Sequence, residues 1–145
     1  MIIVLRVTQA ATVADGLVAG AVAAVLSGAP STLHAIATRS SPLEAILAAG
    51  TLLLPHERRP LALALAAVPV HFALSFGWAL ALAALLPRRR TVAAGTIAGL
   101  AIAALDLGVV GRRRPRIRAL PQLPQVLDHV AYGATVGAVL SLRRR

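Results

Sequence analysis

Residues 60–87 read PLALALAAVPVHFALSFGWALALAALLP, and this stretch decides the fold class. Between its two terminal prolines it contains no Asp, Glu, Lys or Arg. A membrane-spanning helix needs about 20 mostly apolar residues, and proline suits both the first turn and the exit of a helix. The stretch therefore predicts a transmembrane helix over residues 61–86.

The composition of the whole chain agrees with a lipid environment. Of its 145 residues, 58% are hydrophobic and only 14% are charged, whereas about 25% are charged in a typical soluble domain. This length favours one domain, residues 1–145. All 15 basic residues are arginines, and they cluster between the apolar runs, as is typical of membrane flanks that contact lipid phosphates. Aromatic residues make up 3%, too few for base stacking, so we expect no nucleic-acid partner.

Three further stretches are predicted to span the membrane, namely residues 11–28, 91–111 and 125–142. The first of these resembles a secretory signal, with a small-residue site at Ser27-Gly28-Ala29. Pro30 would follow the cleavage directly and Asp15 interrupts the apolar core, so we interpret this stretch as a retained helix. Thr12 and Asp15 form a T-x-x-D pattern, which predicts that Asp15 caps the start of this helix.

A shorter stretch, residues 42–54, begins with the pattern Ser41-Pro42-Leu43-Glu44 and ends before Pro55. The pattern predicts a capping box between Ser41 and Glu44. The stretch is too short to cross a core of about 30 Å, so we interpret it as an interfacial or re-entrant helix. The predicted fold is thus all-α, an integral membrane bundle of about four transmembrane helices plus this short helix. Four spans leave seven arginines on one side and eight on the other, so the positive-inside rule assigns no orientation.

Small residues recur every four positions on three of the predicted spans. In lipid, such G-x-x-x-G faces allow helix backbones to approach closely, and this approach is a main source of helix association. The predicted helix-packing residues are Gly16, Gly20, Gly95, Gly99, Gly133 and Gly137. The pattern indicates a tight bundle and carries no chemistry of its own.

Four ionisable residues within the predicted spans are the candidate functional residues, because a charge inside a bilayer is costly. They are His71, Asp106, Asp128 and His129. Structural alternatives stay open: an ion pair of Asp106 with Arg112 or Arg113, and a favourable interaction of Asp128 with the dipole of its helix. An antiparallel bundle places these residues toward one face, so they are predicted to form a polar cluster. Adjacent helical residues diverge by about 100°, which argues against Asp128 and His129 binding one metal ion.

The order of several short motifs resembles the YagU-like inner-membrane proteins and related small bacterial membrane proteins. The motifs are GLVAG at 16–20, SP at 41–42, HFALSF at 71–76, LP at 86–87, DH at 128–129 and YG at 132–133. The resemblance implies a bacterial inner-membrane location and a link to acid tolerance. It implies no catalytic residues.

The chain has no cysteine and none of the common hydrolase, metalloprotease or phosphate-binding motifs. We therefore expect a non-enzymatic membrane protein without a cofactor or a metal, a structural or accessory subunit that associates with itself or with a membrane-protein partner. A proton- or cation-coupled carrier that uses His71 and Asp106 is the alternative. A metal-dependent membrane enzyme is a third hypothesis.

Overall fold

The structure, a computed structural model, describes the backbone of residues 2–144 and the side chains of residues 12–144. Arg145 and the side chain of Arg6, both counted among the flanking arginines, lie outside the described residues. The described chain is helical without a strand, which confirms the all-α prediction. Its α-helices are α1 (Ile2–Leu26), α2 (Ala29–Ala37), α3 (Leu43–Gly50), α4 (Pro60–Leu85), α5 (Thr91–Leu105), α6 (Pro115–Arg118) and α7 (Gln122–Arg143).

Helix α4 forms where the uncharged stretch predicts it. Pro60 occupies the first turn, where the missing N–H costs no hydrogen bond. Leu86 adopts an extended conformation because it precedes Pro87, and this ends the helix. Pro69 lies inside the continuous helix.

The first predicted span, residues 11–28, covers part of α1 and the turn at Ser27 and Gly28, and the second helix, α2, continues beyond it. Together, Thr12–Ala37 are long and apolar enough to cross a membrane. The capping prediction for Asp15 is wrong, because α1 begins at Ile2 and Asp15 lies within it.

Helix α3 is shorter than the predicted stretch, since it ends at Gly50 and is followed by turns. Its eight residues extend about 12 Å. The predicted capping box is absent. Ser41 Oγ accepts a hydrogen bond from the N–H of Leu43, at 3.3 Å, while the Glu44 carboxylate pairs with Arg116, 3.1 Å away on α6.

Helix α5 continues into a π-helical segment, Asp106–Val110, and a 3-10 turn, Gly111–Arg113. The π-helical segment begins at Asp106, one of the candidate functional residues. Thr91–Arg113 forms one helical run that is long and apolar enough to span a membrane, as the sequence predicts for residues 91–111.

Among the described residues, three helical runs meet the length and apolarity of a membrane span: Thr12–Ala37, Pro60–Leu85 and Thr91–Arg113. Helix α7 is a fourth long helix, but its polar residues make it less apolar than these three runs. It packs against α1, α2, α4 and α5 and is therefore the central helix of the bundle. An interior helix needs less apolar surface than one that faces lipid, which explains its composition.

The long helices lie in the spatial order α5, α7, α1, α4, and α3 packs on the outer side of α4. The sequence predicts an antiparallel hairpin of α4 and α5, because only three arginines separate the spans. The two helices make little direct contact, because α4 packs on α1 while α5 packs on α7. The largest fully buried side chains are Leu63, Val136 and Leu140, whereas apolar residues such as Val25 and Leu85 are about 80% exposed, as expected of a lipid-facing surface.

Candidate functional site

Two of the four candidate residues form a direct pair between α5 and α7. The Nε2 atom of His129 lies 3.4 Å from Oδ2 of Asp106. Asp106 begins the π-helical segment, and such segments occur frequently at functional sites. The two side chains are 23% and 21% exposed, so both are largely withdrawn from solvent or lipid.

The partner of the other His129 ring nitrogen, Nδ1, indicates which ring nitrogen carries a hydrogen. Nδ1 lies 2.8 Å from the carbonyl oxygen of Gln125. A carbonyl oxygen only accepts, so Nδ1 must carry a hydrogen. In a neutral ring Nε2 would then be an acceptor facing a carboxylate oxygen, which is repulsive. The contact becomes favourable with one more proton, on Nε2 or on Asp106, so the geometry suits a proton shared between the two groups.

Asp128 makes a separate contact with α2. Its Oδ1 accepts a hydrogen bond from the backbone N–H of Ser31, at 2.9 Å. Ser31 lies in the first turn of α2, whose own N-cap residue, Gly28, supplies no side-chain cap. Asp128 therefore satisfies one of the free N–H groups at that helix end, as a capping side chain would.

His71 lies away from the other three candidates and contacts α1. Its Nε2 is 3.0 Å from the carbonyl oxygen of Ala24, in the last turn of α1. Its ring also makes an edge contact with Phe72, at a centroid distance of 5.9 Å. The predicted cluster of four thus divides into a pair, Asp106 with His129, and two residues that each bond a different helix. The described residues include no group of three or more His, Cys, Asp or Glu side chains arranged to hold a metal ion.

Further polar contacts of α7 were not predicted from the sequence. Arg143 donates to the carboxylate of Asp15 on α1, with Nε 2.7 Å from Oδ1. Arg144 donates to the carbonyl oxygens of Ala83 and Leu86, which lack helical partners at the end of α4. Tyr132 donates its hydroxyl hydrogen to the carbonyl oxygen of Ser75.

These contacts depend on which helices are neighbours. A single sequence does not specify that, although a cation in the last turn of a helix is a recognisable signal for binding carbonyl oxygens.

The predicted glycine faces meet within this one chain. A methyl group added at Gly95 or Gly99 would collide with the carbonyl oxygen of Gly133 or His129. One added at Gly137 would lie 2.6 Å from the carbonyl oxygen of Thr91. On α1, a methyl group at Gly20 would lie 2.9 Å from the Phe76 ring of α4. These positions require glycine because the helices touch there at backbone distance.

Two cavities lie at the end of the bundle that carries the residue 112–118 arginines. One, of about 180 Å³, is lined by residues of α2, α3 and the segment between them, and by residues of α6 and α7, including Ser31, Glu44, Arg116 and Gln125. The other, of about 490 Å³, runs along α5 and the π-helical segment. Ser31 and Gln125 also bond Asp128 and His129, so the smaller cavity adjoins the ionisable residues.

Toward the opposite end of the bundle, the glycine contacts close α5 against α7. The two cavities described above therefore lie at the other end, near the Asp106–His129 pair. No family model, curated protein or solved structure matches the chain.

Proposed function

We propose that the chain is a multi-pass protein of a bacterial-type inner membrane, with a non-enzymatic structural or accessory role beside a second copy or a larger membrane protein. One observation carries the proposal: five Asp and His residues of the long helical runs each contact another helix. Asp15 contacts α7, His71 contacts α1, Asp106 and His129 contact each other, and Asp128 contacts α2. In lipid, polar contacts of this kind hold helices together.

The surface available to a partner differs from the one that the sequence suggests. The glycine faces that favour self-association are already used between α1 and α4 and between α5 and α7. What remains outward is a surface of large apolar side chains, including Leu61, Leu65 and Ile97, which are 72%, 64% and 70% exposed. We therefore assign partner contact to this outer surface of α4 and α5.

Photo-crosslinking in native membranes tests this assignment. A photoreactive amino acid at Leu65 or Ile97 is expected to give a discrete adduct, either at twice the mass of 14.9 kDa or at one larger mass, with the partner peptide identified by mass spectrometry. The matched control is Leu63, two residues from Leu65 and fully buried, which should crosslink only within the chain. If Leu65 and Ile97 yield lipid adducts alone, the partner hypothesis fails.

A second candidate function, a proton-coupled carrier, is favoured by the shared proton of Asp106 and His129. This pair replaces the predicted combination of His71 and Asp106, since His71 bonds α1. Transport would require α5 and α7 to separate at their glycine contacts, because these contacts close the path from the pair toward the opposite end. Such a carrier therefore predicts a second conformation in which the two helices are apart.

Proton flux into liposomes that contain the purified protein distinguishes the two candidates. A carrier should lose its flux in His129→Gln while His71→Gln retains it, since both variants remove an imidazole but only one disrupts the pair. Circular dichroism establishes that both variants fold. The absence of flux in the unchanged protein would exclude the carrier and leave the structural role.

A further inference from the structure

The larger cavity is amphipathic along its length. It is a groove of about 490 Å³ beside the α5–α7 contact. Its walls are apolar and come from Leu100, Ala103, Ala104 and Leu107 along one face of α5 and the π-helical segment, with Val126 on α7. Arg112 and Arg118 lie at one end of the groove. Groove walls of this kind accept an apolar chain that carries a negative charge at one end.

The π-helical segment contributes open space to this groove. Gly108 lies within the segment and lines the cavity, and a methyl group added there would meet no atom within 4 Å. This distinguishes Gly108 from Gly95 and Gly99, where a methyl group would collide with α7. Gly108 therefore leaves room for an occupant and is not required for helix packing.

The two arginines at the end of the groove have no anionic partner within the described chain. Several other arginines, including Arg88 and Arg113, also lack one among the described residues, whereas Arg116 pairs with Glu44 and Arg143 pairs with Asp15. Arg112 and Arg118 are exposed, and neither guanidinium makes a hydrogen bond or ion pair among residues 12–144. Guanidinium groups bind phosphate with two parallel hydrogen bonds, so a phosphate group complements this pair.

The dimensions of the groove match one leaflet of a membrane. Leu100 and Arg112 are separated by twelve positions, about 18 Å along a helix. Half of a hydrocarbon core measures about 15 Å, so arginines at the membrane surface place the apolar walls at the depth of a lipid tail. We propose that this groove binds an anionic phospholipid, with its phosphate between Arg112 and Arg118 and one acyl chain along Leu100, Ala104 and Leu107.

Native mass spectrometry of the protein from nanodiscs of equal phosphatidylglycerol and phosphatidylcholine tests the proposal. We expect phosphatidylglycerol to remain bound in preference to phosphatidylcholine. The double variant Arg112→Gln/Arg118→Gln should reduce its retention by about tenfold or more, as expected for the loss of charged hydrogen bonds. The control Arg88→Gln/Arg89→Gln removes the same charge at the opposite end of the bundle and should leave retention unchanged.

Gly108→Leu tests the acyl chain separately, because it fills the groove and keeps both arginines. It should lower retention of phosphatidylglycerol, while Gly77→Leu, at an exposed position on α4 that is also open to a methyl group, should not. Full retention in Gly108→Leu would overturn the proposal, since the arginines would then attract the headgroup without a groove. Equal loss in the arginine control would overturn it as well.

Competition with inorganic phosphate distinguishes a lipid site from a site for a soluble phosphate compound. If millimolar phosphate displaces the bound lipid from the purified protein, the site belongs to a soluble phosphate compound and the lipid assignment is wrong. If the lipid stays bound, the acyl chain contributes to binding, as the proposal requires.

Discussion

The Nε2 atom of His129 faces Oδ2 of Asp106 at 3.4 Å while the Nδ1–H of the same ring bonds the carbonyl oxygen of Gln125. This arrangement lets one bound proton join α5 to α7. It also fixes the tautomer that His129 would adopt without the proton, because the Gln125 carbonyl retains the hydrogen on Nδ1.

Asp106→Asn is expected to preserve the fold and to remove the proton shared with His129. The new amide can donate a hydrogen bond to a neutral Nε2, so the helix contact survives and the free energy of unfolding should fall by less than about 1 kcal/mol. Asp106→Leu offers no such donor and should cost about 1–3 kcal/mol. Nitrogen NMR of His129 and carbon NMR of Asp106 should show the extra proton on the ring or on the carboxyl group in the unchanged protein, whereas only Nδ1 should be protonated in Asp106→Asn. A singly protonated ring beside an ionised carboxylate in the unchanged protein would contradict the shared proton.

Gly99→Ala is expected to destabilise the bundle strongly. The added methyl group would collide with the carbonyl oxygen of His129 and force α5 away from α7, at a cost of about 1–3 kcal/mol or more. Gly77→Ala is the control, because that position in α4 is exposed and open, and alanine favours a helix there by about 0.5–1 kcal/mol. Unfolding of both variants in detergent measures the difference. Equal stabilities would mean that the α5–α7 glycine contact contributes little.

The ion pair between Asp15 and Arg143 is expected to couple the two residues energetically. The Asp15 and Arg143 side chains are 14% and 41% exposed, so solvent screening moderates the interaction. A double-mutant cycle with Asp15→Asn and Arg143→Gln should give a coupling of about 0.5–1 kcal/mol. Strict additivity of the two single variants would remove this pair from the forces that hold α1 to α7.

Glu57, in the loop before α4, is expected to titrate near pH 2. The hydrogen bond from the Arg59 guanidinium, aided by the N–H groups of Arg59 and Arg58, lowers the pKa of Glu57 from 4.5 to about 2. A carboxylate whose pKa is lowered by folding stabilises the folded loop above its unfolded pKa and loses that contribution as the pH falls through the folded value. The loop conformation should therefore persist at pH 4 and change near pH 2. Carbon NMR of the Glu57 carboxyl group follows this titration, and Arg59→Gln should move the midpoint toward 4.5.

The sequence predicts which stretches form helices more readily than it predicts how each helix is rotated about its axis. The absence of charge between Pro60 and Pro87 is enough to predict α4, and the four-residue glycine spacing identifies the faces of α5 and α7 that touch. The ladder of His71, Ser75, Ala79 and Ala83 does mark one face of α4, and its last three residues are buried, but the ladder does not tell which helix packs on that face. The rotation of α4 is set by α1, where Gly16 and Gly20 admit Leu80 and Phe76.

The positions of the candidate functional residues could likewise be predicted only in part. Antiparallel helices with a short connection bring Asp106 and His129 to the same end, so their proximity could be predicted from chain order. The direction of His71 depends on the rotation of α4, and His71 consequently bonds Ala24 rather than the pair. The contact of Asp128 with Ser31 depends on α2, which lies beyond residue 28, the predicted end of the first span.

The central position of α7 has a consequence for biogenesis. Helices α1, α4 and α5 all precede α7 in the chain, and α5 packs on α7 while making little contact with α4. During synthesis the earlier helices therefore leave the ribosome before the helix that joins them. Until α7 arrives, α5 lacks its packing surface and Asp106 has no imidazole beside it, so a membrane chaperone or the insertion machinery would meet this helix in its unpaired form.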